Sequence, residues 1–169
     1  MATSTLIQYL ETSAVTGLGV SVGVGAASMN RRQTETFIAR ETLIVGDFVA
    51  FDLAATADGD VTIGVFKADG NSAPVRTPFG VVLGSAETSG LLTAGAKVNV
   101  CISGVCDAFV GDNGGAGSGI GTLLQMTNTA GVVDLASAAS ASPVVAVLAE
   151  AVPPAAGPTL KRVVVRKSF

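Results

Sequence analysis

Residues 78–84 read PFGVVLG and residues 143–149 read PVVAVLA, so a proline followed by an almost unbroken apolar run occurs twice, 65 positions apart. Proline fits the start of a strand, where its missing N–H costs least, and valine-rich runs favour β-structure. A second valine-rich run follows each phrase, KVNV at 97–100 and RVVV at 162–165. The pattern predicts two similar units, each a strand, a loop and a strand; the alternative is a chance match in a chain rich in Val and Ala.

Superposing the two copies with a shift of 65 aligns Val82 with Val147 and Val98 with Val163. Around them, glycine-containing turns such as Asp69-Gly70 punctuate short β-branched runs. No stretch shows the i, i+3, i+4 apolar spacing of an amphipathic helix. The sequence therefore predicts an all-β fold, a small β-barrel or β-sandwich with little or no helix.

The beginning of the chain differs from the rest. Residues 12–30 carry no charge, but their apolar residues alternate between glycines, which is a strand period and not that of a membrane helix. We expect an extended N-terminal arm over residues 1–36 and a β domain over residues 37–169, with its two units at about 44–110 and 119–169. We expect no signal peptide and no membrane partner.

Composition limits the classes of function. Apolar residues make up 49% of the chain and charged residues 14%, against about 25% charged in an average soluble domain. Part of the surface is therefore expected to be buried against other subunits. The net charge of −3 argues against nucleic acid as a partner.

The chain contains no histidine, which is the commonest general base and metal ligand in proteins. Ser103 and Cys106 are nucleophiles without a visible base, and the acids lie at turns without the density of a calcium loop. We expect no enzymatic activity, no cofactor and no metal site. The alternative is a histidine-free hydrolase.

Cys101 and Cys106 are the two cysteines. In a straight strand, residues five apart point to opposite faces, so a disulfide would require a turn at Gly104. We expect free thiols and synthesis in a reducing cytosol.

Basic residues mark two places as candidates for partner binding. Arg31 and Arg32 lie where the arm meets the domain, and Arg162 and Arg166 share one face of the last strand. One interpretation of the last strand is a solvated edge strand whose charges prevent edge pairing. The other is contact with an acidic partner surface.

Three segments together resemble the capsid decoration, or cement, proteins of tailed bacteriophages. They are residues 63–111 (IGVFKADG to DAFVG), residues 119–152 (GIGTLLQM to LAEAV) and LKRVVV at 160–165. In that family a G-V-x-L phrase, a small-residue loop, a V-x-V-x-x-x-G-V strand and a G-x-x-L strand recur in this order. The likeness covers roughly residues 44–166; the long arm and the cysteine pair depart from the family pattern.

The resemblance implies a β-barrel or β-tulip-like fold and assembly as a homotrimer. It also implies attachment to the major capsid protein on the outer surface of the virion, with synthesis in the host cytoplasm. The family has no catalytic residue to carry over. The alternative is another virion β-protein, such as a head-fibre, tail or capsid subunit.

Overall fold

The computed structural model describes residues 8–9, 32–52, 63–87, 89–136 and 143–166. Within these ranges the chain is all-β and contains no helix, which confirms the predicted fold class. The strands are β1 (Gln8–Tyr9), β2 (Arg32–Ala39), β3 (Phe48–Phe51), β4 (Gly64–Lys67), β5 (Gly80–Ser85), β6 (Lys97–Val110), β7 (Leu123–Met126), β8 (Val133–Leu135), β9 (Val144–Leu148) and β10 (Thr159–Val165).

Five strands close into a barrel in the order β2-β4-β3-β5-β6 and back to β2. All neighbours are antiparallel except β2 and β4, which run parallel. The short β1 adds to β2 by pairing Tyr9 with Arg32. Closure leaves few unpaired edges, which suits thin strands with little charge to protect them.

A second ring of pairings uses the end of β6, in the order β6-β8-β7-β9-β10 and back to β6. Its neighbours are again antiparallel except for one parallel contact, between β6 and β8, which is a single residue pair, Val110 with Val133. Strand order and direction are therefore the same in the two rings. The correspondence is β2 with the end of β6, β3 with β7, β4 with β8, β5 with β9, and the start of β6 with β10.

The rings share β6, which bends at Gly104. Residues up to Ser103 pair with β2, and residues from Gly104 onward pair with β10. Gly104 has φ of 106°, a conformation that glycine adopts without strain. Because of the bend, Cys101 and Cys106 lie in the same buried cluster and not on the opposite faces that a straight strand would give them. Both are free thiols, as predicted.

Two buried clusters result. The inner cluster fills the first ring and contains Phe37, Ala39, Leu43, Val49, Val65, Phe79, Val82, Val98, Val100 and Ile102. The joint cluster combines the outer face of the first ring with the inside of the second. It contains Phe48, Ala50, Ala68, Val81, Cys101, Cys106, Ala108, Val110, Leu124, Val133, Val145, Ala146, Leu148, Val152, Val163 and Val165.

The repeat expected from the sequence corresponds at the level of strands but not residue by residue. In β5 and β6, Val82 opposes Val100, whereas in β9 and β10 Val147 opposes Val164. The register has shifted by one position, so Val82 is buried while Val147 is half-buried.

The expected boundaries differ from those of the rings. Strand β2 begins at Arg32, inside the stretch assigned to the arm, and β6 contributes to both rings. The division into an arm at 1–36 and two units at 44–110 and 119–169 stays a prediction.

Asp47 lies at the joint between the two rings. It is buried, its carboxylate accepts a hydrogen bond from the Ile44 N–H at 2.9 Å, and it pairs with Lys67 Nζ at 3.2 Å. Gly131, from the loop before β8, lies so close that a Cβ there would come within 2.6 Å of the Asp47 carboxylate. The next residue, Phe48, donates its N–H to the Gly131 carbonyl at 2.9 Å.

Gly80, at the start of β5, is a site where a side chain should be costly. A Cβ there would lie 2.5 Å from Val100 Cγ1 and 2.8 Å from the Cys101 carbonyl oxygen. We expect Gly80→Ala to lower the free energy of unfolding by about 1–3 kcal/mol, because both neighbours are in the wall of the first ring. Urea denaturation measures this, with Gly119→Ala as the control, since no atom lies within 4 Å of a Cβ at that position. Equal stabilities for the two variants would contradict the close approach.

Candidate interaction surface

Strand β10 lies in the middle of a sheet. It pairs with β6 along one edge and with β9 along the other. The interpretation of this segment as a solvated edge strand is therefore wrong, and its charges do not serve to block an open edge. Its outward residues alternate apolar and basic: Leu160, Arg162, Val164 and Arg166 are all exposed. The inward positions, by contrast, hold Val163 and Val165 of the joint cluster and the half-buried Lys161.

An apolar row crosses this sheet beside the arginines. Leu123 opposes Val147, Val147 opposes Val164, and Val164 opposes Val105. Opposed residues of antiparallel strands share a face, so the four side chains lie side by side on the outside. Leu123 is 44% exposed and Val164 is 38% exposed. We call Leu123, Val147, Val164 and Val105 the outer row.

Sequence reasoning found the arginines of this face but missed the outer row. The alternation from Leu160 to Arg166 does mark Val164 as outward-facing once Val163 and Val165 are taken as core. The other members come from β6, β7 and β9, and their alignment depends on the strand pairing. No pattern within a single strand reveals that pairing.

The charges beside the outer row are partly paired. Arg162 opposes Asp107 on β6, with 3.7 Å between Nε and Oδ1, and both side chains are largely exposed. At the far end of the sheet Lys161 donates a hydrogen bond to Glu150 at 2.7 Å. This bond lowers the pKa of the Glu150 carboxyl below its ordinary value. Such exposed pairs contribute little to stability, which leaves them free to exchange partners in a complex.

Arg32 and Arg166 each lie near the bend of β6. Gln33 pairs with Ser103 and Val165 pairs with Gly104, so each arginine lies one residue beyond a partner of the bend. Arg32 also acts electrostatically on both thiols of the joint cluster. Among the described residues, no carboxylate forms an ion pair with either arginine. Arg31 lies outside the described residues.

Other kinds of site receive less support from the geometry. Cys106 is buried, and its hydrogen bond with Cys101 together with burial raises the pKa of its thiol, which makes it a poor nucleophile. No three Cys, Asp or Glu side chains converge on a possible metal position in the part of the chain that the structure describes. A search of the same part for a helix long and apolar enough to cross a membrane found none.

The chain was compared with known proteins. No family model matches the sequence, and the search of curated proteins found no similar one.

Proposed function

We propose that this protein is a capsid decoration protein that binds the outer surface of a phage head as a homotrimer and bridges neighbouring capsid subunits. The observation that carries the proposal is the outer face of β10, where apolar and basic side chains alternate on a strand held on both sides. A face that exposes apolar and arginine side chains together suits contact with another protein surface. The resemblance of residues 44–166 to cement proteins supports the same function.

Composition is consistent with a structural role. Only 14% of the residues are charged, and ten exposed large apolar side chains lie on the described surface. A small protein with this surface gains stability when it buries apolar area against other subunits. Repeated contacts on a shell make weak individual contacts collectively strong.

The arm supplies a second mode of attachment. Gln8 and Tyr9 pair with Gln33 and Arg32, so the segment before β2 adds to the edge of the first ring. Strand addition is a common way for an extended segment to bind a partner sheet. We propose that the arm adds in the same way to a capsid subunit or a neighbouring copy, with Arg31 and Arg32 anchoring its base.

Purified protein added to expanded heads that lack decoration protein tests the proposal. We expect saturable binding and a higher temperature of head disruption. Absence of binding, or binding without stabilisation of the head, would overturn the proposal. Binding to tails but not to heads would favour a tail component instead.

Removing residues 1–31 tests the arm and leaves β2 whole. We expect a folded protein whose affinity for heads falls by at most about tenfold, because only one of several contacts is lost. Arg32→Glu should also lower the affinity for heads. Lys97→Glu is the matched control, since Lys97 is an exposed cation on the first ring whose side chain is 62% accessible. Equal loss in the two charge variants would indicate general electrostatics and not a contact at Arg32.

A further inference from the structure

The first ring has its own outward apolar row at the position that corresponds to the outer row. Phe48 on β3 opposes Val81 on β5, and Val81 opposes Cys101 on β6. All three point away from the inner cluster and into the joint cluster. They are fully buried, because the second ring covers them.

The correspondence between the rings is position by position across the sheet. Strand β3 corresponds to β7, β5 to β9, and the start of β6 to β10. Phe48, Val81 and Cys101 therefore correspond to Leu123, Val147 and Val164, the first three members of the outer row. The row of Phe48, Val81 and Cys101 is covered by the second ring, which has the same strand order as the first. The outer row is exposed or half-exposed in the single chain.

We propose that the outer row is covered by a second copy of this chain. Within one molecule, the corresponding apolar row packs against the inside of a ring with the same strand order, so the fold shows that a row at this position takes a covering partner. Charge agrees with the assignment: Arg166, which lies beside the row on the same face of β10, has no ion-pair partner among the described residues. A sister copy carries 13 acidic against 10 basic residues and can provide one.

The contact must extend beyond the row. A stable interface buries about 800 Å² on each partner, which is more than four side chains provide. Leu160 is 47% exposed and opposes Phe109 on β6, and the Asp107–Arg162 pair lies between this pair and the outer row. The interface thus has apolar contacts on both sides of an ion pair.

The number of copies rests on the proposed function, which implies three, whereas the location of the contact rests on the two rows alone. In a three-fold assembly each copy contacts the next one head to tail until the trimer closes. The outer row of one copy therefore meets a different surface of its neighbour. The row of Phe48, Val81 and Cys101 is not available as that surface, since it is covered within its own chain.

Sedimentation equilibrium of the full chain tests the inference. We expect the wild type to associate, and Val164→Asp to weaken association about 100-fold or more, because a carboxylate would be buried against apolar side chains. Leu123→Asp, at one end of the row, should weaken association in the same way. Val75→Asp is the matched control: Val75 is 49% exposed but belongs to neither row, so its association should equal that of the wild type.

Circular dichroism and the unfolding midpoint establish that each variant is folded. A wild type that is monomeric at all concentrations would overturn the inference. So would association that Val164→Asp and Leu123→Asp leave unchanged, or that Val75→Asp weakens equally.

Binding of the same proteins to heads separates the two proposals. If the variants dissociate while the wild type fails to bind heads, the contact stands and the decoration function falls; if the variants stay associated but lose head binding, the outer row faces the shell and the inference is wrong.

Discussion

Phe48→Ala is expected to lower the free energy of unfolding by about 3–5 kcal/mol, the usual cost of removing a buried aromatic ring. Phe48 is fully buried in the joint cluster, between the outer wall of the first ring and the inside of the second. Its backbone also bonds to Gly131, in the second ring. The cavity would therefore open between the rings, where neither can close it alone.

The same variant tests whether the two rings unfold together. The joint cluster takes side chains from both rings, so we expect a single cooperative transition in urea for the wild type and for Phe48→Ala. Phe66→Ala is the matched control, because the Phe66 ring is half-buried and lies under the Arg76 guanidinium at 4.0 Å. Phe66→Ala should lower the free energy of unfolding by roughly 1–2 kcal/mol. Two separate transitions, or equal costs at the two positions, would contradict a shared core.

The class of the fold was readable from the sequence because its signals are local. Proline before a valine run, glycine at turns and the absence of a helical period each depend on neighbouring residues, and together they predicted short strands without helix. The partial repeat of 78–84 at 143–149 likewise predicted that β5 and β9 play similar roles. Their pairings with β6 and β10 agree with this at the level of strands.

The sharing of β6 was not readable, because it depends on contacts distant in sequence. Gly104 in CISGVC marks a place where the chain is able to bend, but only the pairing of Val165 with Gly104 and of Gln33 with Ser103 shows that it does. The position of β10 was misjudged for the same reason. Its arginines fit an edge strand equally well until both of its neighbours are known.

Only part of the outer face of β10 was predicted from the sequence. Arg162 and Arg166 were identified from charge alone, and the structure places both on the outside. The outer row was missed because Leu123, Val147 and Val164 come from three strands and are aligned only by register. Surfaces built across strands leave a weaker trace in a sequence than those built along one.

Asp47→Ala should lower the free energy of unfolding by about 3 kcal/mol at neutral pH. The substitution leaves Lys67 without its partner and the Ile44 N–H without its acceptor in a partly buried setting. Lys67 keeps part of its exposure to water, which holds the cost at the low end of the range for broken buried pairs. Asp107→Ala is the control: this aspartate also pairs with a cation, Arg162, but is exposed, so its loss should cost less than about 1 kcal/mol. Equal costs would show that the buried Asp47 pair contributes no more to stability than an exposed pair.

Asp47→Asn should change how stability depends on pH. Burial raises the pKa of Asp47 above its ordinary value of 3.8, and the hydrogen bond from Ile44 and the charge of Lys67 offset this only in part. The folded protein then holds a proton at this site at pH values where the unfolded chain has released it. The contribution of Asp47 is fully present below pH 3.8 and is lost as pH rises through the folded pKa.

The stability of the wild type relative to Asp47→Asn should therefore fall as pH rises from about 3.8 and then level off. Urea denaturation of both proteins between acidic and neutral pH measures this difference. Glu150→Gln provides a comparison of opposite sign. Because the hydrogen bond from Lys161 lowers the pKa of Glu150, the wild type should gain stability over that variant as pH rises. A wild-type advantage over Asp47→Asn that grows with pH would mean that the attraction of Lys67 outweighs burial, so that the Asp47 carboxylate is stabilised mainly by the ion pair.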